Sequence, residues 1–303
     1  MPDWQSRIVP VFERLSRIRA SQPWLGRVWI VAALVAAVWF LATHWNVFAT
    51  QALWRPVALA FALTFAGKIF SAAQMPLALE QVGVRLGLRA SLYPYSAADL
   101  PKYLPGGIWG AVSRAALYSD LGLPPAKTAF AMVMEQAWLI GGAAVFGLNY
   151  ALLSHAWLSP LIGLVAAAAV TVLWFSVCYA ICVRSVRSVR FIAQLAIVQF
   201  ALWSLIGGGF AVLLPSSVPP LVAMGAFCLG FAGGLFAIIV PSGIGVREAI
   251  AIAILLPFQG AQDIAAELIF SRIVWVLADV AFAGIAIPLG RNAWRAAVAG
   301  AVI

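Results

Sequence analysis

The chain is poor in charge. Of its 303 residues, 10% are Asp, Glu, Lys or Arg, while 64% are hydrophobic, and the mean hydropathy is +1.00. That balance excludes an ordinary soluble globular domain and predicts a polytopic membrane protein. Acidic residues are scarcest, ten against nineteen basic ones, for a formal charge of +9. The basic residues flank apolar runs and form no single patch, so the excess predicts cytoplasmic loops facing anionic lipid, with no nucleic-acid partner. Cys178, Cys182 and Cys228 all fall within apolar runs. They imply no disulfide framework, and without nearby His or acidic residues Cys178 and Cys182 read as packing residues, with no metal ligands. His44 and His155 fall at span ends. No nucleotide loop, metal cluster or catalytic nucleophile stands out, so no cofactor or direct use of ATP is expected.

Long apolar runs dominate what is present. Residues 1–27 form a basic segment in which Trp4, Ile8, Val11, Phe12, Leu15 and Ile18 recur at helical spacing. It reads as an amphipathic helix on the cytoplasmic surface, ahead of a single transmembrane domain over 28–303. Spans are expected near 28–45, 53–79, 128–150, 157–183, 191–214, 219–240 and 265–288. The first is a signal anchor, with no cleavable signal peptide. Lys and Arg gather before the first span, between the second and third, after the fourth and at the C-terminus. This pattern puts both termini in the cytoplasm and the protein in the inner membrane. The fold class is therefore all-α, with about seven or eight membrane helices.

Two stretches break the pattern. Residues 238–257, IIVPSGIGVREAIAIAILLP, run into Pro241, Ser242, Gly243 and Gly245, then carry Arg247 and Glu248 side by side. Pro removes a backbone donor and Gly costs entropy, so a helix breaks there. Broken backbone at membrane depth is tolerated only when buried in protein or lining a wet cavity. A restarted helix with Arg247 in its first turn suits an anionic headgroup such as phosphate; a tight cytoplasmic turn with Arg247 as an anchor fits the same residues. The resumed run is about 18–20 Å long, short of a hydrocarbon core of about 30 Å. The second stretch, 96–124, breaks at Pro101 and at Pro105, Gly106 and Gly107, then carries Arg114. It reads as re-entrant, with Asp99 and Lys102 close enough to meet on one turn. Proline, small residue, glycine and isoleucine followed by an arginine occur in both, an echo that points to a pseudo-repeat, as in transporters whose sites are built on paired interrupted helices.

Ionisable residues at membrane depth are candidate binding groups by default: Lys68, Glu135, Arg247, Glu248, Arg272 and Asp279, the last two seven apart on one helical face. Arg114 joins them from the first broken stretch. A static ion-pair network holding the bundle together is the other account of the same residues.

KYLPGGIWGAVSRAALYSDLG with a following Glu135, and PSGIGVREA with a following Ser271-Arg272, resemble the transmembrane region of bacterial lysylphosphatidylglycerol synthetases and their stand-alone flippase-like relatives. The similarity runs over most of the chain after the first span. It implies a bilobed lipid-translocating domain with re-entrant helices, acting on anionic or aminoacylated phospholipids or on polyprenyl-linked sugars. Those synthetases add a soluble aminoacyl-transferase domain, for which residues up to Ile303 leave no room, so synthetic activity is not expected. The expectation is a flippase- or scramblase-like lipid translocator in which Arg247, Arg114 and Arg272 bind a headgroup phosphate. Glu135, Glu248 and Asp279 would offset those cations in the empty site or bind a lipid amine. An accessory subunit of a membrane glycosyltransferase or lipid-modifying enzyme fits the same sequence, as does, less well, a membrane enzyme acting on a lipid-linked substrate. Small-residue runs such as Gly207 to Gly209 suit close packing within the chain or against another copy.

Overall fold

A computed structural model describes residues 51–103, 109–154, 159–182, 188–236 and 245–301, and these are helical with short connections. The expected surface helix 1–27, the first span, His44, His155, Pro105, Gly106, Gly107, Pro241, Ser242 and Gly243 lie outside the described residues. In chain order the helices are α1 (Gln51–Glu80), α2 (Leu88–Asp99), a 3-10 turn (Leu100–Tyr103), α3 (Trp109–Ser119), α4 (Pro125–Ser154), α5 (Pro160–Ile181), α6 (Val189–Ala211), α7 (Pro220–Phe236), α8 (Val246–Leu255) and α9 (Ala261–Ala301). Five of them, α1, α4, α5, α6 and α9, are long and apolar enough to cross a membrane, and α7 is a shorter apolar helix. The chain is an all-α membrane protein.

Local chemistry sets the boundaries. Gly83 (φ +90°) and Gly122 (φ +69°) turn the chain after α1 and α3 in the left-handed region that favours glycine. Pro125 opens α4 where a helix has no use for the missing N–H. The Ser159 and Ser188 hydroxyls accept the backbone N–H groups of Ile162 and Phe191, capping α5 and α6. Proline does not always interrupt: Pro56, Pro76, Pro94 and Pro288 lie inside helices. The last helix was expected to end near Pro288 but runs on to Ala301, with Trp294 buried and its ring 6.4 Å from that of Tyr93. Packing against α2 outweighs the one backbone bond that Pro288 removes.

The direction of each helix follows from its contacts. Arg89 Nε donates to the Leu289 carbonyl at the start of α2, Tyr95 meets Phe282 midway, and Lys102 reaches Asp279 beyond its end. α2 therefore runs antiparallel to α9, from the Leu289 level to the Asp279 level. α3 turns back: Gly110 packs on Ala98, and Tyr118 and Leu121 join the apolar layer that holds Leu86. At the other end α7 descends antiparallel to α4, with Gly225 against Tyr150 and Leu229 against Gly147. α8 returns, its Leu255 packing with Ile264 and Leu268 near the start of α9. α1 and α6 are also antiparallel, Gly67 facing Ile206 and Gly209 facing Ala60.

The core thus has two apolar layers. One holds Leu86, Tyr118, Trp138, Cys178, Phe191 and Trp294, the other Tyr150, Trp203, Phe210, Phe227, Leu255 and Ile264. Cys178, Cys182 and Cys228 are buried, as packing residues are. Where the layers meet, Gln199 on α6 donates to Gln74 Oε1 on α1 (2.8 Å) and accepts from Trp203 Nε1 (2.9 Å). Gly142 on α4 makes room for this set: a β-carbon there would lie 2.0 Å from Gln199 Oε1 and 2.8 Å from Trp203 Nε1. Gly142→Ala is expected to lower stability by about 1–3 kcal/mol, because the amide cannot retreat without losing buried hydrogen bonds. Thermal unfolding of the purified protein measures this, and an unchanged midpoint would show that the amide set is not held as described.

Candidate functional site

A cavity of about 440 Å³ lies between the two layers, within the range of small-ligand sites of roughly 300–1,000 Å³. Every helix except α5 contributes to its wall. Of the residues expected from sequence to bind substrate, Lys68, Arg114, Glu135, Arg247, Glu248 and Arg272 line it. Asp279 lies just behind, paired with Lys68 and Lys102.

Three ion-pair groups are distinguishable. The Glu135 carboxylate on α4 accepts from Arg114 Nη1 on α3 (2.6 Å) and from the Tyr118 hydroxyl (2.9 Å). Across the cavity, Glu248 on α8 uses its two oxygens differently. Oε2 accepts the Gly245 N–H (2.7 Å) and so caps α8, while Oε1 accepts from Arg272 Nε on α9 (2.6 Å). Burial alone would push this carboxyl up, but its own backbone N–H, Arg272 and the Gly245 N–H more than offset that and hold it below the usual carboxylate range. At the N-terminus of α8, Glu248 thus occupies the Gly245 N–H, as a carboxylate standing where an anion could bind.

The third group is a chain of four charges. Asp279 on α9 pairs through Oδ1 with Lys68 on α1 and through Oδ2 with Lys102 (2.7 Å); Lys102 also binds Asp99 (2.7 Å). Lys68 and Asp279 are almost fully buried, whereas the Lys102 side chain is 30% exposed, on the cavity wall. Such burial is tolerated because each charge has an opposite partner. The Asp99–Lys102 contact that helical spacing allowed is therefore part of a longer chain.

Sequence reasoning missed Trp275, Tyr118 and the reach of Lys102. The Trp275 ring lies 3.9 Å from Lys68 Nζ, 5.5 Å from the Arg247 guanidinium and 5.9 Å from Lys102 Nζ. Arg247 also lies over Phe231 (4.2 Å) and Phe227 (5.4 Å), two rings that stack on Trp275. Cations over aromatic faces are stabilised by the ring quadrupole, the more so when desolvated. The signal for Trp275 was available, since it falls between Arg272 and Asp279 on the face they share.

Among the described residues the site brings together five cations, Lys68, Lys102, Arg114, Arg247 and Arg272, and four carboxylates, Asp99, Glu135, Glu248 and Asp279. That leaves one net positive charge beside an aromatic wall. No group of His, Cys, Asp or Glu among the described residues could hold a metal ion. The chain matches no family model and no curated protein.

Proposed function

We propose that the protein is a flippase- or scramblase-like translocator, with no enzymatic activity, that passes the headgroup of an anionic lipid across the inner membrane. The observation that carries this reading is the roughly 440 Å³ cavity among apolar helices, lined by cations that each also contact a carboxylate or an aromatic ring. A headgroup phosphate entering it displaces a carboxylate from its arginine or lysine, so the anion is desolvated into preformed charge-assisted hydrogen bonds. Arg114, and Arg247 over the Phe231 ring, are the first cations it meets, with Arg272 and Lys102 beside them. Aminoacylated and polyprenyl-linked lipids share the phosphate chemistry that the resemblance implies.

In this reading α1–α4 and α6–α9 are two halves of an inverted repeat, α5 lying between them. α2–α3 enters from one side of the membrane and returns to it; α7–α8 does the same from the other side. The support is the matching pairings, α2 on α9 and α7 on α4, and α1 antiparallel to α6. The long helix after each hairpin carries a charge and then a tryptophan three residues on, Glu135 with Trp138 and Arg272 with Trp275. Each charge pairs with the short helix before it, with the signs exchanged. A substrate site at the interface of such repeats, formed by interrupted helices, is the arrangement found in many secondary transporters. Both termini are cytoplasmic in this topology.

The test is reconstitution into phosphatidylcholine vesicles carrying a trace of headgroup-labelled phosphatidylglycerol, with an impermeant reductant bleaching the outer leaflet. Bleaching of the inner-leaflet label is expected only with protein present. Arg247→Ala should slow it about tenfold or more, the effect of losing one charge-assisted contact in a dry site. If Arg247→Ala and Glu248→Ala both leave the rate unchanged, the site is elsewhere. Purified protein that translocates nothing but retains a bound membrane enzyme is an accessory subunit.

A further inference from the structure

The two halves differ where their equivalence should be closest. On α9, Asp279 follows Arg272 by seven residues; on α4 the residue seven after Glu135 is Gly142. α1 packs Lys68 onto Asp279, whereas α6 packs the neutral Gln199 amide and Trp203 indole onto Gly142. The same junction of a long helix with its neighbour is therefore filled without charge in one half and with a buried ion pair in the other. Burying the pair is costly in either solvent or lipid, and packing alone is satisfied by the neutral solution.

The more exposed link between the buried pair and the cavity is Lys102. Lys102, on the cavity wall, is shared between Asp279 Oδ2 and Asp99 Oδ2 at 2.7 Å each. The charged and titratable groups facing Asp279 are Lys68 from α1, Asp99 and Tyr95 from α2, Lys102 from the 3-10 turn, and Arg247 from α8 over the intervening Trp275 ring. On α9 itself Arg272 is engaged by Glu248. Lys68 and Lys102 both bond Asp279 and border the cavity, but the Lys68 side chain is 2% exposed and that of Lys102 30%, so Lys102 is the one an entering anion reaches.

We infer that Asp279 is a proton-binding site coupled to anion entry through Lys102. An anionic headgroup that takes the Lys102 ammonium removes one of the two cations holding Asp279 ionised. Asp279 Oδ2 then forms an O–H bond with a proton delivered by cavity water, and Lys68 keeps its place at Oδ1. One negative charge and one proton enter together, so the charge of the buried cluster is unchanged. When the headgroup leaves, Lys102 returns to Asp279 and the proton goes back to water. This mechanism rests on the translocator reading for its anion, and it would let a proton gradient drive the lipid.

The experiment is calorimetric titration of the purified full-length protein with soluble dihexanoyl-phosphatidylglycerol, in two buffers of different ionisation enthalpy. Near neutral pH the wild type should take up about one proton per lipid bound. Asp279→Asn, which keeps the shape of the side chain, should reduce that number to near zero. Lys102→Gln leaves the Lys68–Asp279 pair in place and should also abolish the uptake, because the charge on Asp279 no longer depends on a departing lysine. Binding with no proton uptake by the wild type, or unchanged uptake in either variant, overturns the assignment. Absence of any binding would instead count against the anionic-lipid reading itself.

Discussion

Asp279→Ala is expected to destabilise the protein by about 3–5 kcal/mol, the cost of leaving a buried charge uncompensated. Lys68 is 2% exposed on its side chain, and Asp279 is its carboxylate partner. Without that carboxylate the lysine keeps the Trp275 face alone, worth about 2 kcal/mol at best even when desolvated. Lys102 suffers less, because Asp99 still accepts from it. The cost should therefore come almost entirely from Lys68, and removing that charge as well should recover most of it. Lys68→Met combined with Asp279→Leu is expected within about 1–2 kcal/mol of the wild type, since a buried pair exchanged for apolar groups of similar volume is often neutral. Unfolding by denaturant in mixed micelles would measure both. A single variant as stable as the wild type would mean that water reaches Lys68, and a double variant no better than the single would mean that the pair is needed for packing after all.

The charges at this site were legible in the sequence because their cost makes them conspicuous. Lys68 is more than ten residues from either end of an apolar run, and such a residue needs a cavity or a carboxylate. The spacing of Arg272 and Asp279 placed both on one face, and Arg272 lines the cavity while Asp279 lies just behind it. What the spacing could not give was the partner. Lys68 and Asp279 are 211 positions apart, and no local rule connects them. The role of Lys102 was hidden for a similar reason, since its contact with Asp99 is visible as an i,i+3 pair while the longer one to Asp279 depends on α2 running down α9. Helix positions came through well wherever apolar runs were uninterrupted, as in α1, α4, α5 and α6. They slipped at Pro288, where tertiary contact through Trp294 carried the helix past a residue that usually ends one. Gln199, fully buried at mid-helix, is a polar signal of the same kind as Lys68, but an uncharged one.

The two hairpin pairs provide the second large effect. Arg114–Glu135 and Arg272–Glu248 occupy equivalent places in the proposed repeat, yet their surroundings differ. The Arg114 and Glu135 side chains are 11% and 4% exposed, those of Arg272 and Glu248 34% and 23%. Equivalence of position would predict equal costs for removing the carboxylates; desolvation predicts unequal ones. Glu135→Ala leaves Arg114 and the fully buried Tyr118 hydroxyl without their shared acceptor, a loss expected at about 3–5 kcal/mol. Glu248→Ala breaks a half-exposed pair worth about 0–1 kcal/mol and removes the cap on the Gly245 N–H, worth about 0.5–2 kcal/mol. Its total should stay well below that of Glu135→Ala. Glu135→Gln, which can still accept from Tyr118, should recover part of the difference. Denaturant unfolding of the three variants under one set of conditions decides the matter. If Glu248→Ala costs as much as Glu135→Ala, the cavity is drier at α8 than its geometry indicates, and a phosphate arriving there would enter a site as poorly hydrated as the one beside Arg114.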